Sequence, residues 1–309
     1  MNNRLRSIAL FTLVITCISC GPQSEKQTVQ ATPAAQVSKL YKAMPASPEF
    51  NAYWYQGKAE LCTYDVTQDR YGEIREAEQV NVFVTEDFSK QKHVKLDDPA
   101  NAGTDRLPVL KLNSIRRFQT GIYDYSIMQS VFTPVDGTPT IKTTCTVQDW
   151  CGQVFAQSNL EAGGYQLRSF SYFESEGDED KRMALSMQED DLAVRIRINP
   201  EGIPTGAVNI MPSILYSRIR HKPYQVQSAD IQLEKGEKES VLHLKYTGIP
   251  RTLDIRFETA APHRILGWEE TDGGKLTSKG RLKTTRMEAY WTQNSNKFSP
   301  MRDSLQLHF

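Results

Sequence analysis

Residues 79–85 read Gln79-Val80-Asn81-Val82-Phe83-Val84-Thr85. Val80, Val82 and Val84 alternate with Asn81, Phe83 and Thr85, a period of two that predicts a half-buried strand. The same period runs outward in both directions. Tyr53 to Thr67 is rich in aromatic and β-branched residues, and Leu107 to Phe118, Ile122 to Pro134 and Ile141 to Val147 follow. Gln153 to Gln157 and Tyr165 to Phe173 form a hairpin pattern joined through Glu161-Ala162-Gly163-Gly164. Beyond Pro223, Ile231 and Leu233, then Leu242, Leu244 and Tyr246, then Leu253, Ile255 and Phe257 alternate with polar partners. Ile265 to Glu269 and Met287 to Trp291 complete the set, with Asp272-Gly273-Gly274 as a turn. Residues 86–106 are polar and broken by Asp97-Asp98-Pro99, which predicts a long loop. Consecutive strands with no helices between them imply antiparallel pairing. The expected fold is mainly β: an antiparallel curved sheet, or two packed sheets, with a short helical insert.

The insert is residues 176–222. Asp190 and Asp191 precede Arg195 and Arg197, the charge order that a helix dipole favours, while Leu192, Val194, Ile196 and Ile198 alternate as in a strand. The charge order decides for a helix. Met211, Ile214, Leu215 and Ile219 follow helical spacing, with Pro212 in the first turn. The flanking regions are then an N-terminal β region over 36–175, led by a short helix through Val37, Leu40, Tyr41 and Met44, and a C-terminal antiparallel β region over 223–309.

The N-terminus carries an address. Arg4 and Arg6 precede a nearly continuous apolar run from Ile8 to Ile18, too short for the roughly 20 residues of a bilayer span. Ile18-Ser19-Cys20 resembles the lipobox of a bacterial lipoprotein signal, with Cys17 where leucine is usual. That resemblance implies cleavage after residue 19, acylation of Cys20, and attachment to a membrane through lipid. Residues 20–35 then read as a flexible tether with almost nothing to bury.

The 37 basic and 37 acidic side chains balance, and loss of Arg4 and Arg6 with residues 1–19 leaves 35 against 37, a net −2. Such a chain has no global field for gathering nucleic acid. Of the cysteines beyond Cys20, Cys62, Cys145 and Cys151 are disulfide candidates in an exported chain, and an odd number leaves at least one unpaired. Cys145 and Cys151 close a small loop if paired, and Cys62 is an alternative partner for either.

Catalytic motifs are scarce. His93, His221, His243, His263 and His308 are scattered, with no His-x-x-x-His pair, and no Gly-x-Ser-x-Gly elbow or phosphate-cradling glycine loop is present. No cofactor or metal is expected. The acidic run Glu174, Glu176, Asp178, Glu179 and Asp180 lacks the spacing of an EF-hand and reads as a solvated turn. Gln148-Asp149-Trp150-Cys151-Gly152 has no basic neighbour to activate its thiol. Arg218, Arg220, His221 and Lys222 follow the second helical pattern. They either complement its dipole or form a patch for an anionic partner such as a lipid headgroup. Tyr53-Trp54-Tyr55 and the pair Tyr123 and Tyr125 read as core or as the lining of a groove.

The segments YGEIREAEQVNVFVTEDF (71–88), PVLKLN (108–113), TGIYDYSIMQSVFTPV (120–135), VQDWCG (147–152), SYFESEGD (171–178) and PSILYSRIRHK (212–222) resemble an uncharacterised group of Bacteroidota lipoproteins. The resemblance implies an exported lipoprotein and no catalytic residue. Some members of that group carry the label septum formation inhibitor Maf, a family of cytosolic α/β nucleotide pyrophosphatases. The export signal, the antiparallel β pattern and the missing Ser-x-Ser-x-Arg-Arg start argue against that activity in this chain. The expected function is a non-enzymatic outer-membrane lipoprotein, at the periplasmic face or cell surface, binding an apolar ligand or an envelope-protein partner. A secreted hydrolase acting on envelope polymers is the alternative.

Overall fold

The structure, a computed structural model, describes residues 47–308. The signal, Cys20, the tether and the helix expected through Val37 to Met44 lie outside the described residues. A helix absent from the sequence reading opens the body: α1 (Pro48–Trp54), capped by the Ser47 side chain and led by proline, takes Tyr53 and Trp54 out of the expected strand.

One 15-stranded sheet follows. The first half is a meander of β1 (Ala59–Arg70), β2 (Glu73–Ser89), β3 (Arg106–Thr120), β4 (Tyr123–Pro134), β5 (Lys142–Gln148), β6 (Gln153–Glu161), β7 (Gly164–Phe170) and β8 (Glu179–Ala184). The second is β9 (Met187–Gln188), β10 (Gly206–Met211), β11 (Gln227–Glu234), β12 (Glu239–Tyr246), β13 (Arg251–Glu258), β14 (Ile265–Asp272) and β15 (Lys275–Glu288). The halves join where β1 pairs antiparallel with β15, leaving β8 and β9 as the two edges. All pairings are antiparallel except β9 with β10. Only Leu185 and Ser186 separate the edge strands in sequence. A connector that short reaches about 10 Å, so the sheet must curl until its opposite edges approach. Among the described residues those edges share no ladder, and the sheet is not closed.

The expected helical insert is only partly helical. It contains α2 (Leu192–Ile198) and α3 (Ile214–Ile219), but also β8, β9 and β10. Met211 ends a strand rather than starting a helix, and Ser213 caps α3 through bonds to the Leu215 and Tyr216 amides. The strand expected over Met287 to Trp291 is instead the end of the polar strand β15, followed by a single 3-10 turn at Tyr290–Thr292.

Helix α2 fills the concavity. Leu192, Val194 and Ile196 are fully buried, and Arg195 and Arg197 are buried with them, which explains the strand-like alternation of a helix covered on every side. The main core unites Tyr64, Phe118, Ile127 and Leu167 from the first half with Ile231, Leu244, Ile255 and Trp268 from the second. Alternation sorts the faces of β2 against first expectation. Val82 and Val84 pack outward with Ala59, Leu61 and Leu305, whereas Phe83 faces α2 and Asn81 faces the interior.

Charges tie the helical segment to both halves. Arg197 Nη2 meets Glu60 Oε2 of β1 at 2.6 Å with both side chains fully buried, and Tyr53 donates to the same carboxylate. Thr140 donates to Asp191 at 2.6 Å. Glu189 accepts from Tyr246 at 2.6 Å and is bound by Arg251, which also holds Glu270 at 3.0 Å. Removing one partner of such a pair strands the other in low dielectric. Arg197→Met should therefore lower urea-measured stability by about 3–5 kcal/mol, whereas Glu60→Leu combined with Arg197→Met should cost clearly less. Equal losses in single and double variants would show that the pair is not coupled.

Candidate functional site

The basic run predicted from sequence is divided by the structure. Helix α3 ends at Ile219 with Arg220 as its cap; the next residue, His221, has a left-handed φ of 51°, and the Lys222 amide bonds back to Ser217 O at 2.8 Å. Arg220 turns to Asp69 at 2.5 Å and Asp272 at 3.4 Å, so its charge is satisfied structurally. Arg218, His221 and Lys222 instead line a pocket of about 220 Å³ with Ser217, Tyr224, Ser169 and the β7–β8 loop at Glu176 and Gly177. The pocket lies between that loop and α3.

Glu176 organises the loop side. It accepts from Ser171 at 2.7 Å, lies 2.6 Å from His221 Nδ1 and pairs with Arg218 at 3.2 Å. Burial opposes its ionisation, but the Ser171 and His221 bonds and the Arg218 charge outweigh this and hold its carboxyl below the usual range. The expected solvated acidic turn is thus structured at Glu176. The Arg218 guanidinium also stands 4.5 Å from the Phe173 ring centroid. Burial raises the Tyr224 hydroxyl to about 12, keeping it a neutral hydrogen-bonding group. Two polar atoms of the wall, Ser217 Oγ and Arg218 Nε, are buried without a hydrogen-bond partner, although their residues are only 2% and 5% exposed. Orphaned donors of this kind are costly unless something else satisfies them. Lys222 is exposed at the same mouth.

The cysteines do not build a site. Cys62, Cys145 and Cys151 are all free, so the expected disulfide is not formed. Cys62 and Cys145 are buried in different strands, with burial raising the Cys62 thiol to about 12 and the Cys145 thiol further. Cys151 is exposed on the β5–β6 turn, where its amide bonds Asp149 at 2.6 Å. His243 lies between Asp254 at 2.8 Å and Glu234 at 3.3 Å on the strand surface. Tyr125 is core, bonded to Tyr71 at 2.8 Å and to Arg70 at 3.2 Å.

A second space, of about 110 Å³, lies inside the sheet and was not foreseen. Gln79, Asn81, Ser114, Arg116 and Gln129 reach it from β2, β3 and β4, and Ile255, Trp268 and Glu270 from β13 and β14. Glu189, Asp190, Ser213 and Leu215 complete it from the helical segment. Asp190 is half-buried, with its Oδ1 fully covered. Burial raises its carboxyl to about 7 and adjacent Glu189 adds to the shift, while Ser213, the Ile214 amide and Gln129 partly offset it. The available signal was the polar residues of otherwise strand-like segments, which the period of two places on the same face as Phe83.

No family model and no curated protein matches the chain. Among solved structures it is similar to a β-barrel-like protein of a domain of unknown function (DUF1849) from Brucella abortus. The TM-score is 0.48 at 10% identity, covering 74% of this chain and 98% of that one.

Asp190 makes stability pH-dependent. The native state holds its proton more tightly than the unfolded chain, whose aspartate titrates near 3.8, so its contribution is fully present below that value and lost as pH rises through about 7. The stability advantage of Asp190→Asn over wild type should grow between pH 4 and 7 by about 2–4 kcal/mol and level off above. Urea unfolding across that range tests this, and a pH-independent difference would contradict it.

Proposed function

We propose that this chain is an envelope lipoprotein, attached to the outer membrane through acylated Cys20, whose β body is a non-enzymatic binding module for an anionic group. The pocket between α3 and the β7–β8 loop receives a phosphate or carboxylate carried by a lipid headgroup or an envelope-protein partner. The observation that carries this reading is the pair of buried, unpartnered donors, Ser217 Oγ and Arg218 Nε, in a pocket whose mouth holds Lys222. An anion satisfies both donors and adds charge-assisted bonds. Glu176 and Glu179 also line the pocket, favouring a ligand that bears a cationic group beside its anion.

Size separates this reading from its rivals. Neither space, at about 220 and 110 Å³, reaches the roughly 300–1,000 Å³ of clefts that enclose drug-sized ligands, so a headgroup fits where a whole acyl chain does not. A hydrolase of envelope polymers needs an open cleft with a carboxylate or Cys/His pair. Glu189 and Asp190 do converge, but on the smaller interior space. Two or three acyl chains suffice for stable membrane attachment, as one alone does not.

Two measurements test the proposal. Cys20→Ala, or globomycin treatment, should abolish lipidation and processing, and an unchanged membrane-bound, processed product would refute the anchor. For the site, inorganic phosphate and glycerophosphoethanolamine titrated into the full chain should bind, and Ser217→Ala or Lys222→Gln should each weaken binding about 3- to 10-fold. Binding that ignores both substitutions would refute the assignment. Mass spectrometry of the purified protein with its lipid retained distinguishes a headgroup from a protein ligand.

A further inference from the structure

We propose that the interior cavity is a separate binding site for the carboxylate of a short aliphatic acid. The argument begins with Arg116 of β3. Its residue is 6% exposed, and its hydrogen bonds go to neutral oxygens: Nε to Gln79 at 2.7 Å, and Nη1 to Gln68 and to Ser278 at 3.3 Å. Its guanidinium stands 5.6 Å from the Trp268 ring centroid. Among the described residues no carboxylate lies within ion-pair distance of it. The nearest influence, Glu270, is bonded to Arg251, and Glu189 is held by Arg251 and Tyr246. Buried cations are ordinarily paired, and this one is left with Nη2 unused.

Two more wall atoms are buried without hydrogen-bond partners. They are Gln129 Nε2, a donor, and Asp190 Oδ1, whose sister oxygen Oδ2 accepts from the Ile214 amide at 3.1 Å. Arg116 Nη2 and Gln129 Nε2, the latter beside the Asp190 carboxyl, offer two donors to one space, the complement of a carboxylate with two acceptor oxygens. Leu112, Leu215, Leu253, Ile255, Ile265 and Trp268 supply the apolar part of the wall, and the Glu189 and Glu270 carboxylates that also line it are already bound by Arg251. At about 110 Å³ the space holds about four water-sized groups, which limits the tail to a few carbons. An amine would meet Arg116 as a like charge, and an apolar molecule would leave both donors unsatisfied.

The test is calorimetric titration of the full chain with sodium acetate, butyrate and octanoate, with butyramide and butylamine as controls. Butyrate should bind more than tenfold tighter than butyramide or butylamine, and octanoate should bind more weakly than butyrate. Arg116→Gln, which keeps a hydrogen-bonding group at the site, should weaken butyrate at least tenfold. Should that variant fail to fold, the chain-length and charge series on the wild-type protein decides alone. Titrated in a Lys222→Gln background, where the outer pocket is weakened, butyrate should keep the same chain-length and charge order, so failure here and failure of the headgroup pocket are distinguishable. No butyrate binding at millimolar concentration, or equal affinity for butyrate and butyramide, would overturn the proposal.

Discussion

The buried ion pairs of residues 189–197 are the constraint on which the molecule depends. A sheet whose two halves, among the described residues, pair strands only along β1 and β15 needs something inside its curl that addresses both. Helix α2 and its leading turn do so with opposite ends of one short segment: Arg197 fixes Glu60 of β1, while Glu189 is fixed by Arg251 of β13 and Tyr246 of β12. Such pairs need not stabilise more than well-packed hydrophobic residues would. What they impose is placement, because a helix shifted by one residue would bury charges without partners. The interior cavity follows from that placement, since Asp190 and Ser213 are carried to it by the same segment.

The period of two made the β class legible from VNVFVT (80–85) outward, because strands with one covered face must alternate. It did not say which face points inward. On β2 both faces are covered, by α2 on one side and by the C-terminal Leu305 on the other, so the valines could be assigned to the wrong layer. Strand β15 escaped notice for a related reason. Its inward positions are Ser278 and Gly280, the latter pressed against the Trp268 ring, so its covered face carries almost no apolar signal. A glycine there is required, since a Cβ would lie 2.3 Å from Trp268 carbon.

The candidate pocket was legible as charge but not as geometry. Arg218 lies in the last turn of α3, but the helix stops at Ile219 and His221 turns left-handed, so no helical period relates Arg218 to His221 and Lys222. Arg220 is drawn away from the others by Asp69 and Asp272, both distant in sequence. The partner Glu176, 42 residues earlier, was not available, because nothing local links an acidic turn to a distant helix end. The interior cavity was further from view. Gln79, Asn81, Arg116 and Gln129 read as solvent-facing polar positions until the curl of the sheet turns them inward.

The open seam explains why the proposed anion pocket sits where it does. Strand β8 alternates exposed and half-buried positions and carries Glu179, Asp180, Lys181 and Arg182, a charged edge that discourages further pairing. Strand β9 has two residues and offers almost no ladder to meet it. Side chains therefore close what backbone bonds do not: the β7–β8 loop reaches α3 through Glu176, Arg218 and His221. Contacts of this kind can be exchanged for a ligand's without breaking a strand pairing, whereas the same groups placed mid-sheet would be locked into register. A seam bridged by charge is where this fold can admit a charged group at the lowest structural cost.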